Sequence, residues 1–359
     1  MVINMLRRIT RQVNVGNVKI GGDAPIAIQS MLNAPAEDFE KNLSQLKALE
    51  DAGCEIVRMA VPNMEAVKVL GKLKENSSIP LVADIHFDYK LALESLAAGV
   101  DKIRINPGNI GSQDRVAAVA DACALKNVPI RIGVNSGSVE KELLEKFGGA
   151  TPEAMVESAF RHVKMLEDCD FYNTVISIKS SDVENMVKAY SLVAERCDYP
   201  LHLGVTEAGT ERSSLVKSSI GIGSLLLKGI GDTIRVSITD SPVKEIYAAR
   251  DILNAINLRV ETPQIVACPT CGRTKIDLYS LVNRFEAAAK AEGLTDIPIK
   301  VALMGCIVNG PGEAREAEIG IAGGKGEALL FSKGQIIKKI DESEIIDTLI
   351  TEIKGMLDA

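Results

Sequence analysis

The chain has 359 residues, 46% of them hydrophobic and 25% charged, with a formal charge of −7. That length suits one large domain followed by a smaller one. No run reaches the roughly 18 uncharged apolar residues of a membrane span, and the opening segment, despite Arg7, Arg8 and Arg11, lacks the apolar core and cleavage site of an export signal, so a cytoplasmic protein is expected. The acidic balance excludes a broadly basic nucleic-acid surface, and 4% aromatics without Trp leave few platforms for stacking bases. The expected partner is a small molecule, with no nucleic acid and no membrane.

Short β-rich runs recur at 26–31, 55–60, 80–85, 102–105, 129–134, 174–178, 200–205 and 233–238. Between them, segments such as 38–52 and 64–75 place apolar residues at the three- and four-residue spacing of helices lying on a sheet. Alternating strands and helices imply parallel strands. Eight such units in about 260 residues match a (β/α)8 TIM barrel better than an open doubly wound sheet. The predicted fold class is therefore α/β: a barrel over 1–262, then a smaller α+β module over 263–359.

In a barrel, chemistry sits where the strands end. The residues there are Arg58, Asp84, His86, Arg104, Asn106, Arg131, Asn135, Lys179, Glu207 and Arg235. Five strands contribute a cation. Burying a guanidinium costs several kcal/mol unless it is paired, so converging cations opposed by few acids call for a polyanionic guest, with phosphate or diphosphate the natural match to Arg forks. Internal pairing with Asp84, Glu207 and other acids is the competing reading. The Gly-rich stretch 206–223, where Ser213 and Ser214 open a helix, falls where barrels often hold phosphate. His202, early in the seventh strand, reads as structural, whereas His86 beside Asp84 suits either a substrate hydrogen bond or proton transfer. Glu207 is the stronger acid/base candidate.

After a helix at 243–257, the pattern changes at Thr262-Pro263. Cys268-Pro-Thr-Cys271 ends one strand, and Cys306 ends another in Gly305-Cys-Ile-Val-Asn-Gly-Pro-Gly-Glu313. With no second Cys-x-x-Cys and no His beyond His202, structural zinc fits badly. Cys54, Cys123, Cys169 and Cys197 read as small buried hydrophobes. Three soft sulfurs and one exchangeable position suit a [4Fe–4S] cluster, with Glu313 the oxygen ligand within reach. A dithiol of Cys268 and Cys271 alone is the rival and leaves Cys306 unexplained.

Six strings carry a resemblance over nearly the whole chain: Val82-Ala-Asp-Ile-His-Phe-Asp88, Arg104-Ile-Asn-Pro-Gly-Asn-Ile-Gly111, Pro129-Ile-Arg-Ile-Gly-Val-Asn135, Gly204-Val-Thr-Glu-Ala-Gly209, Ala267-Cys-Pro-Thr-Cys271 and the segment from Gly305 to Glu313. Together they resemble the 4-hydroxy-3-methylbut-2-en-1-yl diphosphate synthases in their two-domain bacterial form. The resemblance implies a barrel that binds 2-C-methyl-D-erythritol 2,4-cyclodiphosphate and a [4Fe–4S] cluster on Cys268, Cys271, Cys306 and Glu313. It further implies that Arg58, Arg104, Arg131, Lys179 and Arg235, with His86, Asn106 and Asn135, hold the diphosphate, while Glu207 supplies a proton or positions the substrate. A flavodoxin or ferredoxin donor and a homodimer follow from it too; no Gly-x-Gly-x-x-Gly fingerprint for a nicotinamide is present.

One departure stands out. The family's strand-one end usually reads Gln-Ser-Met-Thr-Asn-Thr, and here it is Gln29-Ser-Met-Leu-Asn-Ala34, which removes two hydroxyls and leaves Asn33 to reach a phosphate. Two other functions compete: a barrel aldolase or isomerase using Lys179 as a Schiff-base amine, and a non-catalytic iron–sulfur redox sensor.

Overall fold

The computed structural model describes residues 7–307, 312 and 314–358. They form two compact units, Met1–Ile252 and Leu253–Ala359, with the division in the last turn of the helix Pro242–Ala255.

The first unit opens with an antiparallel hairpin, β1 (Val13–Val15) and β2 (Val18–Ile20). Its buried residues Val13, Val15 and Ile20 pack on Ala27, Ile56, Val82 and Val175, each at or next to the first residue of a barrel strand. The hairpin thus closes the barrel at its N-terminal end. Sequence patterning missed it, because two three-residue strands are too short for a period-2 signal.

The barrel strands are β3 (Ala27–Met31), β4 (Ile56–Ala60), β5 (Leu81–Asp84), β6 (Lys102–Ile105), β7 (Ile130–Asn135), β8 (Thr174–Lys179), β9 (His202–Leu203) and β10 (Thr233–Ile234). They pair in parallel in the order β8-β7-β6-β5-β4-β3-β10-β9, and a parallel bridge between Ile176 and Leu201 links the two ends. All eight predicted segments are strands. The last two are shorter than expected because the residues beyond them leave the ladder: the Thr206 amide bonds the Ser180 carbonyl, and the Ile238 amide turns to the Glu245 carboxylate.

Helices fill the predicted intervals, among them Phe39–Asp51 and Met64–Asn76, burying Leu46, Leu49, Leu70 and Leu73 on their inner faces. Several loops at the active end finish on a helix cap. Asp38, Asn63, Asp88 and Asp182 each accept a hydrogen bond from an amide of the first turn, which satisfies donors that have no intrahelical partner.

The second unit is a five-stranded mixed sheet: β11 (Gln264–Ala267), β12 (Lys300–Met304), β13 (Ile319–Gly323), β14 (Glu327–Ser332) and β15 (Gln335–Asp341). The first three run parallel and the last three antiparallel. Leu281 and Phe285 of helix Leu278–Ala291, with Leu349 and Ile353 of helix Ile345–Leu357, cover one face through Val301, Leu303, Ile319 and Ile321. Small residues, Ala302, Ala314, Ala317 and Ala322, pack with Met304 and Phe331 elsewhere in the sheet.

Candidate active site

At the C-terminal ends of the barrel strands lies a cavity of about 200 Å³. It is lined by Met31, Arg58, Asp84, His86, Arg104, Arg131, Gly133, Asn135, Ser177, Lys179, Thr206, Arg235 and Ser237. Eight of the ten predicted barrel residues therefore converge on one space. Strand alternation accounts for this: Arg58, Asp84, Arg104, Lys179 and Arg235 each sit an even number of places from another inward residue of the same strand or its extension. A larger surface hollow lined by Asn33, Ala34, Lys41, Ser44 and Gln45 gathers no such buried charge.

Asp84 is the hub. Its Oδ1 accepts from Arg104 Nη1 at 2.9 Å, its Oδ2 lies 3.4 Å from Arg58 Nε, and His86 Nε2 stands 3.7 Å away. Burial alone would raise the Asp84 pKa; the Arg58 charge, a His86 hydrogen bond and the Arg104 charge outweigh it and hold the carboxyl well below the usual carboxylate range. Arg58 is pushed down to about 10 by burial, with Asp84 opposing and Arg235 and Arg104 adding to the fall. Its guanidinium also contacts Met31 Sδ, from Nη2 at 2.8 Å.

Arg131 is 1% exposed, and its Nε and Nη1, like Arg104 Nε, have no hydrogen-bond partner among the described residues. Burial, then Arg58 and Arg104, push its pKa well down. An arginine does not give up its proton in a protein, so this free-energy cost stays with the site and is relieved by an anion. Lys179 is depressed in the same way, by burial first and then by Arg235, Arg58, Arg131 and Arg104. Arg235 alone among these cations pairs with a carboxylate outside the lining, Glu245, from Nη2 at 3.0 Å and Nε at 3.1 Å.

Two glycines make the space. A Cβ on Gly133 would stand 2.5 Å from Arg104 Nε, and one on Gly204 would meet the Arg235 carbonyl at 2.8 Å and Lys179 Nζ at 3.2 Å. Beneath the cavity, Lys102 and His202 are fully buried. Among the described residues Lys102 Nζ reaches only Gln29 Oε1, at 3.4 Å, and burial, Arg131 and Arg58 depress it strongly. His202 bonds Thr233 through Nδ1, and burial with the cations above it keeps the ring neutral, which agrees with a structural role.

Two predicted residues stand apart. Asn106 is buried but its Oδ1 accepts from the Gly108 amide at 3.2 Å, capping its own turn. Glu207 is exposed, takes a positive φ of 51° and does not line the cavity. Asn33 is turned away as well: its Oδ1 accepts from Gln45 Nε2. Leu32, which replaces a family hydroxyl, is buried. Ser213 and Ser214 lie in the first turn of helix Glu211–Leu227, bonded to the Ala208 and Ser237 carbonyls. The sequence reading missed Met31, Ser177, Thr206, Ser237 and Glu245. The three hydroxyls had a signal: Ser177 and Ser237 lie two residues from the predicted cations Lys179 and Arg235, and Thr206 directly follows the predicted strand 200–205.

In the second unit, β11 and β12 run side by side with Ala267 opposite Leu303, so Cys268 and Gly305-Cys306 leave adjacent strand ends. The Gly305 amide donates to Cys268 Sγ at 3.3 Å. The Cys-Pro-Thr-Cys loop folds back through Thr274, whose hydroxyl accepts from the Cys271 amide at 3.1 Å; a side chain at Gly305 would collide with Thr274. Cys271 is exposed, and the Arg273 amide lowers its pKa, which favours the thiolate a metal needs. Among the described residues no three Cys, His, Asp or Glu side chains close on one point, and Glu313 lies outside those residues. Of the remaining cysteines, Cys54 and Cys123 are buried with thiols pushed up to about 12 by burial, whereas Cys169 and Cys197 are half-buried rather than buried, because each lies at or just beyond the C-terminal end of its helix.

The GcpE TIM-barrel domain matches residues 10–250, and the GcpE protein C-terminal domain matches residues 264–355. The chain is 54% identical over 351 residues to 4-hydroxy-3-methylbut-2-en-1-yl diphosphate synthase (flavodoxin) of Brevibacillus brevis, covering 98% of this chain and 97% of that one. It is 54% identical over 352 residues to the protein of the same description from Clostridium perfringens, covering 98% and 99%. Among solved structures, 3-dehydroquinate dehydratase from Geobacillus kaustophilus shares the barrel fold with a TM-score of 0.50 at 13% identity, over 70% of this chain and 98% of that one. Since both units are matched and the likeness to these relatives runs almost end to end, the chain belongs to the GcpE family.

Proposed function

We propose that the protein opens the ring of 2-C-methyl-D-erythritol 2,4-cyclodiphosphate reductively, taking up two electrons and two protons and releasing 4-hydroxy-3-methylbut-2-enyl diphosphate and water. The observation that carries this reading is the barrel cavity, where cations outnumber carboxylates and the buried Arg104 Nε and Arg131 Nε and Nη1 have no hydrogen-bond partner among the described residues. The relatives, by name synthases of 4-hydroxy-3-methylbut-2-en-1-yl diphosphate that use flavodoxin, support the product and the donor.

Asp84 fixes the Arg58 and Arg104 forks, so the diphosphate meets guanidiniums that are already oriented. Arg131 offers Nε and Nη1, and approaching anionic oxygens favour the charged form of Lys179, opposing the burial and neighbouring cations that lower its pKa. Ser177, Thr206, Ser237 and Asn135 complete the oxygen contacts. His86, half exposed beside Asp84, is assigned a substrate hydrogen bond or proton transfer at the rim. Glu207, next to the lining Thr206, is assigned to proton supply or substrate positioning, and Asn106 to the turn that follows Arg104.

Cys268, Cys271, Cys306 and Glu313 are the proposed ligands of a [4Fe–4S] cluster. The donor set fits: an amide bond to the Cys268 sulfur, a Cys271 thiol shifted toward thiolate, and Cys306 leaving the neighbouring strand. When bound, such a cluster supplies single electrons to the carbon–oxygen bond that breaks. A flavodoxin is the proposed donor, in a cytoplasmic homodimer.

Protein purified without oxygen is expected to hold about four iron and four sulfide per chain and to turn over the cyclodiphosphate with reduced flavodoxin. Cys306→Ala loses the cluster and the turnover; a variant with full iron and full activity contradicts the ligand assignment. The depressed Lys179 amine favours one rival, a Schiff-base lyase, which borohydride trapping of substrate on Lys179 would reveal.

A further inference from the structure

Glu245 is 2% exposed, in the first turn of helix Pro242–Ala255 and outside the cavity lining. All of its accepting capacity is used. Oε1 takes Arg235 Nη2 at 3.0 Å and the Ile238 amide at 3.1 Å; Oε2 takes Ser30 Oγ at 2.7 Å and Arg235 Nε at 3.1 Å. The carboxylate therefore grips one edge of the guanidinium from behind. The other edge, Nη1, lies 3.5 Å from Met31 Sδ, a residue of the lining. Arg58 and Arg104 are oriented by Asp84 inside the cavity, while Arg235 takes its direction from a group behind the wall.

We infer that Glu245, itself fixed by Ser30 and the Ile238 amide, is a positioning residue that aims the Nη1 edge of Arg235, the edge on the cavity side, at a phosphate of the bound substrate. The inference rests on the anion-binding reading of the cavity. It goes against simple charge counting: removing a carboxylate near a site for an anion strengthens binding if Glu245 acts only through its field, and weakens it if Glu245 acts by holding a bidentate fork.

A double-mutant cycle on the reconstituted full chain separates these cases, with KM and kcat for the cyclodiphosphate as readouts. Glu245→Gln is expected to raise KM about tenfold with kcat nearly unchanged, and Glu245→Asp, which keeps the charge, to recover part of it. In an Arg235→Ala background the same change adds nothing. Ser30→Ala gives a second route should Glu245→Gln fail to fold: a KM rise of about threefold, absent without Arg235. Equal KM factors in both backgrounds, or a lower KM in Glu245→Gln, overturn the positioning role while the anion site stands. An unchanged KM in Arg235→Ala alone overturns both.

Discussion

Gly133 shows how a single missing side chain shapes the site. Arg104 Nη2 bonds the Gly133 carbonyl at 3.3 Å while Nη1 bonds Asp84, so the guanidinium lies flat on the glycine. Gly133→Ala would put a methyl 2.5 Å from Arg104 Nε and force the fork off Asp84. The expected result is a KM raised about tenfold, with a stability loss of about 1–3 kcal/mol from overpacking; steady-state kinetics and thermal unfolding check it, and an unchanged KM contradicts it. Most of the cavity was legible at this scale, because Asp84, Arg104, Lys179 and Arg235 lie at or within one residue of the ends of their strands, whereas Arg58 and Arg131 lie earlier, in the middle of β4 and at the second position of β7. Glu245 was not, since it sits on a helix after the last strand and no local pattern ties it to Arg235. The competing sequence reading paired the cations with Asp84, Glu207 and other acids; Glu207 is exposed, and the acid that serves Arg235 lies ten residues after that arginine.

Strand β6 carries the clearest element-scale tension. It sends Arg104 to the cavity and Lys102 one inward step deeper, where Nζ has, among the described residues, only the Gln29 amide oxygen at 3.4 Å. An unfolded lysine titrates near 10.5, and burial with Arg131 and Arg58 nearby holds the folded one well below that. Holding the folded amine below its unfolded value costs stability, in full below the folded value and less as pH rises toward 10.5. Lys102→Met is expected to raise stability by on the order of 1–3 kcal/mol near pH 7 and by less near pH 10, read from paired unfolding curves. A gain that grows with pH contradicts this. The barrel strands and helices were legible from period and spacing; the β1–β2 hairpin was not, since its six residues carry their meaning only through contacts with Ala27, Ile56, Val82 and Val175.

At the scale of the whole molecule, the sequence divides chemistry between two units. The cation cavity belongs to the barrel, and the thiols belong to the strand ends of the mixed sheet. The cysteine spacing was legible in the sequence, and the pairing of β11 with β12 gives the reason Cys268 and Cys306 belong together despite 37 intervening positions. The central claim is that the surplus of buried cations in the barrel exists for a diphosphate. Calorimetric titration of the full chain with 2-C-methyl-D-erythritol 2,4-cyclodiphosphate decides it. Binding is expected in the wild type, with an affinity at least about tenfold weaker in Arg131→Ala. Equal affinity in wild type and Arg131→Ala would contradict it.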